Sequence, residues 1–330
     1  MRRSLVPTWR AARVTSVALA LAAVGLTSAG SASAEPAQAS MATQPCLTAT
    51  ADQRVRAGTG LHGVDPNDLT PAQSAQAERA LASRLPQHRT NGRSAALPTT
   101  TIDVYVHVIT RTGGSGGVST TRIKKQIAVL NEAYGGKTST ASTGTAFRFK
   151  LKKIDKTRKT DWYHWNSENV NDDDAAAKRK LHRGGFDDLN LYITQPSGGV
   201  LGYATFPWQR SQKADGVVVL NTSLPGGSAT GYNRGDTATH EVGHWLGLLH
   251  TFENGCTGRG DAVVDTPAQA DGANVFSCSA TLDTCPGVGT DPVHNFLSYG
   301  DDGCLDRFTP GQAHRMALAW QAYRAPRSLL

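Results

Sequence analysis

The chain has 330 residues, five cysteines and a formal charge of +7. Arg2, Arg3, Arg10 and Arg13 precede an apolar run from Val14 to about Gly30 and the triplet Ala32-Ser33-Ala34, which is the pattern of a secretory signal peptide spanning 1–34 with an A-x-A cleavage site. Its removal takes four arginines and no acid, so the charge falls to +3, which excludes the footprint of a nucleic-acid-binding protein; the run is too interrupted by Thr, Ser and Gly, and too short of about 20 residues, for a membrane anchor.

Residues 35–98 lack Trp, Tyr and Phe and are rich in Ala, Gln, Ser and Arg. Such a stretch cannot bury much of a core and reads as a pro-segment. Thr70 as N-cap and Pro71 at the first helical position predict a helix running to about Leu85. The stretch 87–101, with Arg89, Asn91-Gly92 and Pro98, has linker character and is the expected processing region.

From Thr101 the pattern becomes globular. Alternating apolar residues predict strands at 102–109 and 147–154, with a helix at 120–134 between them after a glycine-rich loop. Asp172 to Asp174 resemble a helix start, and that short helix is expected to end near Gly184-Gly185. Strands at 189–194 and 216–220 precede a helix from about Thr237, and a last helix spans about 310–323. Strands mixed with long helices indicate an α/β or α+β domain over 99–330, built on a mixed twisted sheet and ending in a loop-rich region.

The segment His240-Glu241-Val242-Gly243-His244-Trp245-Leu246-Gly247-Leu248-Leu249-His250 has the spacing HExxHxxGxxH. On a helix, His240 and His244 lie one turn apart on one face and can present ring nitrogens to a single ion. His250 would point away from that face if the helix continued, so the chain must leave it, and Gly247 permits the bend. Three His ligands leave a fourth tetrahedral position open, the mark of a catalytic zinc site, with Glu241 directed at the water there as general base. An amphipathic helix with scattered His is the plain alternative, but a shuffled chain with ten His and six Glu would carry HExxH only about 0.005 times.

Cys256, Cys278, Cys285 and Cys304 crowd into the region after this motif, while Cys46 stands alone. Export favours two disulfides among the four; three pairings are open, and spacing does not choose between them. Gly113-Gly114-Ser115-Gly116-Gly117 formally satisfies G-x-S-x-G, but several residues separate Ser115 from both the strand and the helix, which is unlike a nucleophile elbow.

The zinc motif, followed about fifty residues later by His294-Asn295-Phe296-Leu297-Ser298-Tyr299, resembles the metzincin zinc peptidases. The flanks Gly255-Cys256-Thr257-Gly258-Arg259-Gly260-Asp261, Asp265-Thr266-Pro267, Asp283-Thr284-Cys285-Pro286 and Asp301-Asp302-Gly303-Cys304 are similar to the pappalysin family, and within it to secreted single-domain metalloproteases. The resemblance implies a metzincin-like fold, and a monomeric extracellular endopeptidase acting on protein or peptide substrates. It implies zinc on His240, His244 and His250, Glu241 as base, and Tyr299 as the phenol that stabilises the oxyanion. One departure is Leu297, which stands where the family's turn beneath the metal carries Met; its similar volume should preserve the support.

The resemblance further implies an edge strand within 202–208, with Tyr203, Ala204 and Thr205 receiving an extended substrate by strand addition. Asp302 corresponds to an acidic pocket floor favouring Arg or Lys after the scissile bond. Cys256 would pair with Cys285 and Cys278 with Cys304, and Asp261, Asp265 and Thr266 are candidate calcium ligands. Cys46 is a candidate latency switch, although Leu47 stands where the family's short motif has Gly.

Overall fold

The computed structural model describes residues 67–85, 98–165, 174–209 and 211–326; the signal segment and Cys46 lie outside them. The first described helix, α1 (Pro71–Arg84), begins where the sequence indicates. Thr70 Oγ1 accepts from the Gln73 amide at 3.3 Å and Gln73 Oε1 accepts from the Thr70 amide at 2.8 Å, a reciprocal capping box with Pro71 in the first turn.

The main sheet runs in the order β2 (Phe147–Arg158), β1 (Thr100–Thr110), β4 (Leu189–Pro196), β6 (Val217–Leu220), β5 (Gly202–Ala204). The first four are parallel to one another and β5 is antiparallel at the edge. A two-residue strand β3 (His164–Trp165), absent from the sequence expectations, pairs with the end of β4. β1 and β2 are longer than hydrophobic alternation suggests, because outer β2 carries exposed or half-exposed charged residues such as Lys150, Lys152 and Lys153 that interrupt the apolar pattern without interrupting the backbone ladder.

Both faces of the sheet are covered. Val104, Val106, Val108, Leu191, Ile193, Val217 and Val219 meet Ile123, Ile127 and Leu130 of α2 (Thr120–Tyr134) and Val242 and Trp245 of α4 (Asp236–Trp245). The alternate positions Ile109, Tyr192 and Val218 pack against Ala177 and Leu181 of α3 (Ala175–Leu181). This explains why β4 reads as a nearly unbroken buried run while α2 shows a clear amphipathic period. The helix α3 ends at Leu181, short of the expected glycines.

After α4 the chain is mostly loop until α5 (Pro310–Ala319), which starts with a second capping box between Thr309 and Gln312. The last helix reaches Tyr323 as its sequence indicates, with residues Trp320–Arg324 widening into a π turn. There Arg324 is buried: its Nε donates to the Trp245 carbonyl at 2.8 Å, and its Nη atoms meet both carboxylate oxygens of Asp215 at 2.9 and 3.1 Å. Burial would raise the Asp215 carboxyl, but Arg324 and the donors Thr205 and Trp245 outweigh it and hold the group below its ordinary value. Disulfides join Cys256 to Cys285 and Cys278 to Cys304, with Cα separations of 5.2 and 5.7 Å, the pairing that the family resemblance implied. No described helix is long and apolar enough to cross a membrane.

Candidate active site

All ten residues of α4 are buried, so its polar side chains must be satisfied from within. Its entry is fixed by Gly235 at φ +109°, and by Asp302, whose Oδ2 accepts from the Arg234 and Gly235 amides at 2.7 and 3.1 Å. A carboxylate at a helix N-terminus also suits the helix dipole. The exit turns on Gly247 at φ +97°, where an added Cβ would lie 2.7 Å from the Ala319 Cβ. That glycine therefore serves both the left-handed bend and the close seat of α5. Arg315 Nε binds the Gly247 carbonyl at 2.8 Å and holds the bend.

The bend brings three fully buried imidazoles together. His244 Nε2 is 3.0 Å from His240 Nε2 and 3.0 Å from His250 Nε2. Two of the opposite ring atoms are hydrogen-bonded outward, His240 Nδ1 to the Phe296 carbonyl at 2.7 Å and His244 Nδ1 to the Leu248 carbonyl at 2.9 Å, while His250 Nδ1 lies 3.1 Å from the Asp68 carboxylate in an ion-pair approach without hydrogen-bond geometry. A ring nitrogen bonded to a carbonyl must carry the proton, so in neutral His240 and His244 the Nε2 atoms hold the lone pairs, and the carboxylate beside His250 Nδ1 favours the same tautomer there. Lone pairs 3.0 Å apart repel unless a cation lies among them. Among the described residues this is the group of three or more His, Cys, Asp and Glu side chains that can hold a metal ion, and its donor set suits zinc.

Glu241 is buried next to this cluster. Gly202 of β5 makes room for it, since a Cβ there would stand 2.8 Å from both Glu241 Cγ and the Val218 carbonyl oxygen. Tyr134, its phenol raised well above 10.0 by burial and then by the charge of Glu241, stays protonated and donates to the Thr239 carbonyl at 2.9 Å. Tyr299 is buried with its ring centroid 5.8 Å from His240 and 5.0 Å from His250. Leu297 lies under α4, its Cδ2 3.0 Å from where a Cβ on Gly243 would be. The turn that carries it is held by Asn295 and Gln312, whose carboxamides exchange two hydrogen bonds at 2.8 and 3.0 Å.

Comparison with known proteins agrees with this geometry. A family model described as pregnancy-associated plasma protein-A matches residues 177–321. An extracellular metalloprotease of Neurospora crassa is 37% identical over 295 residues, covering 86% of this chain and 98% of its own length. The chain belongs to the pappalysin family of metzincin peptidases. A second relative, an extracellular metalloprotease of Pyricularia oryzae, is 42% identical over 243 residues, covering 71% of this chain and 80% of its own. Among solved structures, promirolysin of Tannerella forsythia superposes with a TM-score of 0.61 at 26% identity, covering 76% of this chain and 87% of that one. Mature mirolysin in complex with a cleaved peptide gives 0.56 at 27% identity, covering 70% and 100%. This pappalysin is accordingly an extracellular metallopeptidase.

The edge strand of this pappalysin is shorter than the expected segment. Leu201 and Thr205 bond through their backbones to Leu220 and Gly216 of the β6 side, and Tyr203 lies opposite Val218. By antiparallel alternation, Gly202 and Ala204 turn their amides and carbonyls outward. Of the three residues expected to receive substrate, Ala204 presents its main chain on the outer side of the edge, where the Asn67 carboxamide engages it. The Tyr203 hydroxyl binds Asp174 at 3.1 Å, and the Thr205 hydroxyl binds Asp215 at 2.6 Å.

Of the candidate calcium ligands, Asp265 has both carboxylate oxygens engaged, whereas Asp261 Oδ2 and Thr266 Oγ1 are buried without a hydrogen-bond partner among the described residues. Asp265 accepts from the Thr309 hydroxyl at 2.7 Å and the Gly311 amide at 2.8 Å, which places it at the start of α5. The carboxyl of Asp261 is raised by burial to about 7, despite a bond from the Val263 amide. The Gly-rich segment 113–117 is a loop between β1 and α2 in which Ser115 is exposed, so it forms no nucleophile elbow. Sequence reasoning missed Gly202, the Asn295–Gln312 pair and the capping role of Asp302. For Gln312 a signal existed, since Thr309-Pro310-Gly311-Gln312 is itself a capping-box sequence.

Proposed function

We propose that this pappalysin is a zinc endopeptidase, with residues 99–330 as the catalytic domain and 35–98 as a pro-segment. The observation that carries it is the inward convergence of three Nε2 atoms whose opposite ring nitrogens face outward partners. His240, His244 and His250 would hold the zinc, which lowers the pKa of water toward about 7 and polarises a carbonyl.

Glu241 takes the proton of the attacking water and returns it to the leaving amine. Its burial beneath Gly202 supports that role, because a carboxylate so confined cannot swing to solvent. Tyr299 donates its phenol hydrogen to the developing oxyanion. The substrate backbone lies antiparallel on β5, using the outward main-chain groups of Gly202 and Ala204. Asp302, buried at the head of α4 where it accepts from the Arg234 and Gly235 amides, is the acid assigned a preference for Arg or Lys after the scissile bond. Asp261, Asp265 and Thr266 are the residues through which calcium would act on the loops, and the enzyme works as a monomer.

Cleavage of an unfolded protein by the processed enzyme is expected to vanish with 1,10-phenanthroline and in Glu241→Ala. Persistence in either case would place the chemistry elsewhere. A peptide library cleaved without basic preference would remove the role given to Asp302.

A further inference from the structure

Two residues ahead of α1 reach the site, and neither belongs to the catalytic domain. Asn67 is 1% exposed, and its carboxamide makes two hydrogen bonds to one residue: Nδ2 donates to the Ala204 carbonyl at 2.8 Å, and Oδ1 accepts from the Ala204 amide at 2.9 Å. A carboxamide presenting one donor and one acceptor copies the peptide group of an added strand. It thereby takes the outward main-chain groups that a substrate peptide needs on β5. Asp68, the next residue, places Oδ1 3.1 Å from His250 Nδ1. His240 and His244 draw their outer partners from backbone carbonyls at 296 and 248, so His250 alone of the three takes its outer partner here from the pro-segment.

The helix that follows is seated by a narrow set of contacts. Of its residues only Ser74, Ala77 and Leu81 are buried. Leu81 meets Ala319 and Tyr323, and Glu78 meets Arg315 at 2.5 Å, the same arginine that holds the Gly247 bend. Clefts run along both sides of the helix, one lined by Pro71, Ser74 and Arg259, the other by Leu85, Val263 and Gly311. Arg84 stacks over the Tyr323 ring at 4.9 Å and Asn254 donates to the Ser74 hydroxyl at 3.4 Å, so the helix is held mainly by its outer contacts rather than by a buried face, a seat from which it can be displaced.

We propose that Asn67 and Asp68 form an internal latch, in which Asn67 stands in for substrate on β5 while Asp68 orients His250 toward the metal, so that latency does not depend on Cys46. The proposal rests on the peptidase reading above. Because the outer carboxylate of a ligating histidine raises its basicity, the latch also tightens metal binding in the precursor, and its departure exchanges metal affinity for an open edge.

The test uses full-length precursors carrying Glu241→Ala, which cannot process themselves by the proposed route. Zinc affinity is read by competition with a chromophoric chelator, and edge occupancy by the anisotropy of fluorescein-labelled, reduced and carboxymethylated casein. Asp68→Ala is expected to weaken zinc binding about 10- to 100-fold, with Asp68→Asn, which keeps an acceptor, recovering part of the loss. Asn67→Ala is expected to strengthen casein binding about tenfold, the worth of two hydrogen bonds no longer competed for. Cys46→Ser is expected to move neither. Unchanged zinc affinity in Asp68→Ala, or casein capture by Cys46→Ser and not by Asn67→Ala, overturns the latch. If Asn67→Ala with Glu241 restored binds casein but never cleaves it, the peptidase reading fails and the latch stands.

Discussion

Replacing Gly202 with alanine adds one methyl group at the point where β5 crosses Glu241, the proposed general base. That Cβ would stand 2.8 Å from Glu241 Cγ, 2.8 Å from the Val218 carbonyl oxygen and 3.0 Å from Glu241 Oε1. Ordinary contact begins near 3.4 Å, so about 0.6 Å must be found on two sides at once. Val218 belongs to β6 and is fixed by pairing on both flanks, which leaves the Glu241 side chain to move. Overpacking of this kind costs about 1–3 kcal/mol of stability. Displacing a general base costs about 10²- to 10⁴-fold in rate. The assay is kcat and KM on a quenched peptide, with zinc content and melting temperature measured on the same preparation. The expected result is a fall in kcat of at least about 100-fold at full zinc occupancy, with a modest drop in melting temperature. Wild-type kcat in a fully folded Gly202→Ala enzyme would refute the placement of Glu241 beneath β5.

Gln312→Leu removes the partner of Asn295 and leaves a buried carboxamide short of hydrogen bonds. A loss of about 1–3 kcal/mol in urea unfolding is expected, together with about tenfold weaker zinc binding, because the same turn presents the Phe296 carbonyl to His240. Asp215→Asn strands the buried Arg324 and should cost about 3–5 kcal/mol. Since the folded Asp215 carboxyl titrates below its ordinary 3.8, its contribution is present above that pH and lost as pH falls through the folded value. Acid unfolding of the wild type should therefore show a component that the variant lacks. For Asp261 the sign is reversed: a carboxyl raised from 3.8 to about 7 contributes fully below 3.8 and loses that contribution as pH rises toward 7. In calcium-free, zinc-supplied buffer at pH 8, Asp261→Asn should therefore melt higher than the wild type, with added calcium narrowing the gap; a lower melting temperature for the variant in calcium-free buffer would count against this.

Much of the site was legible because its spacing is local. HExxHxxGxxH places two ligands on one helical face and a glycine at the exit, and the φ of +97° at Gly247 follows from that pattern. Capping chemistry placed the start of α1, alternation found β1, and short apolar runs found β4 and β6 to within a few residues. What could not be read joins residues distant in the chain. Asn295 lies in the turn motif and Gln312 in a capping-box sequence, but only the packing of α5 against the turn makes them a pair. Gly202 reads only as the first residue of the expected edge strand until Glu241 is set against it.

The same division holds for the molecule as a whole. The sequence by itself determined the element types and the clustering of His240, His244 and His250 around one helix end, because helical and strand periods, caps and metal spacings are properties of short stretches of chain. The tertiary structure decided which main-chain groups of β5 face outward, which carbonyls steer His240 and His244, and that Asn67 and Asp68 lie over Ala204 and His250. Those are contacts across more than a hundred residues in the case of Asn67. Such contacts depend on sheet order and helix seating, for which no local pattern is a substitute.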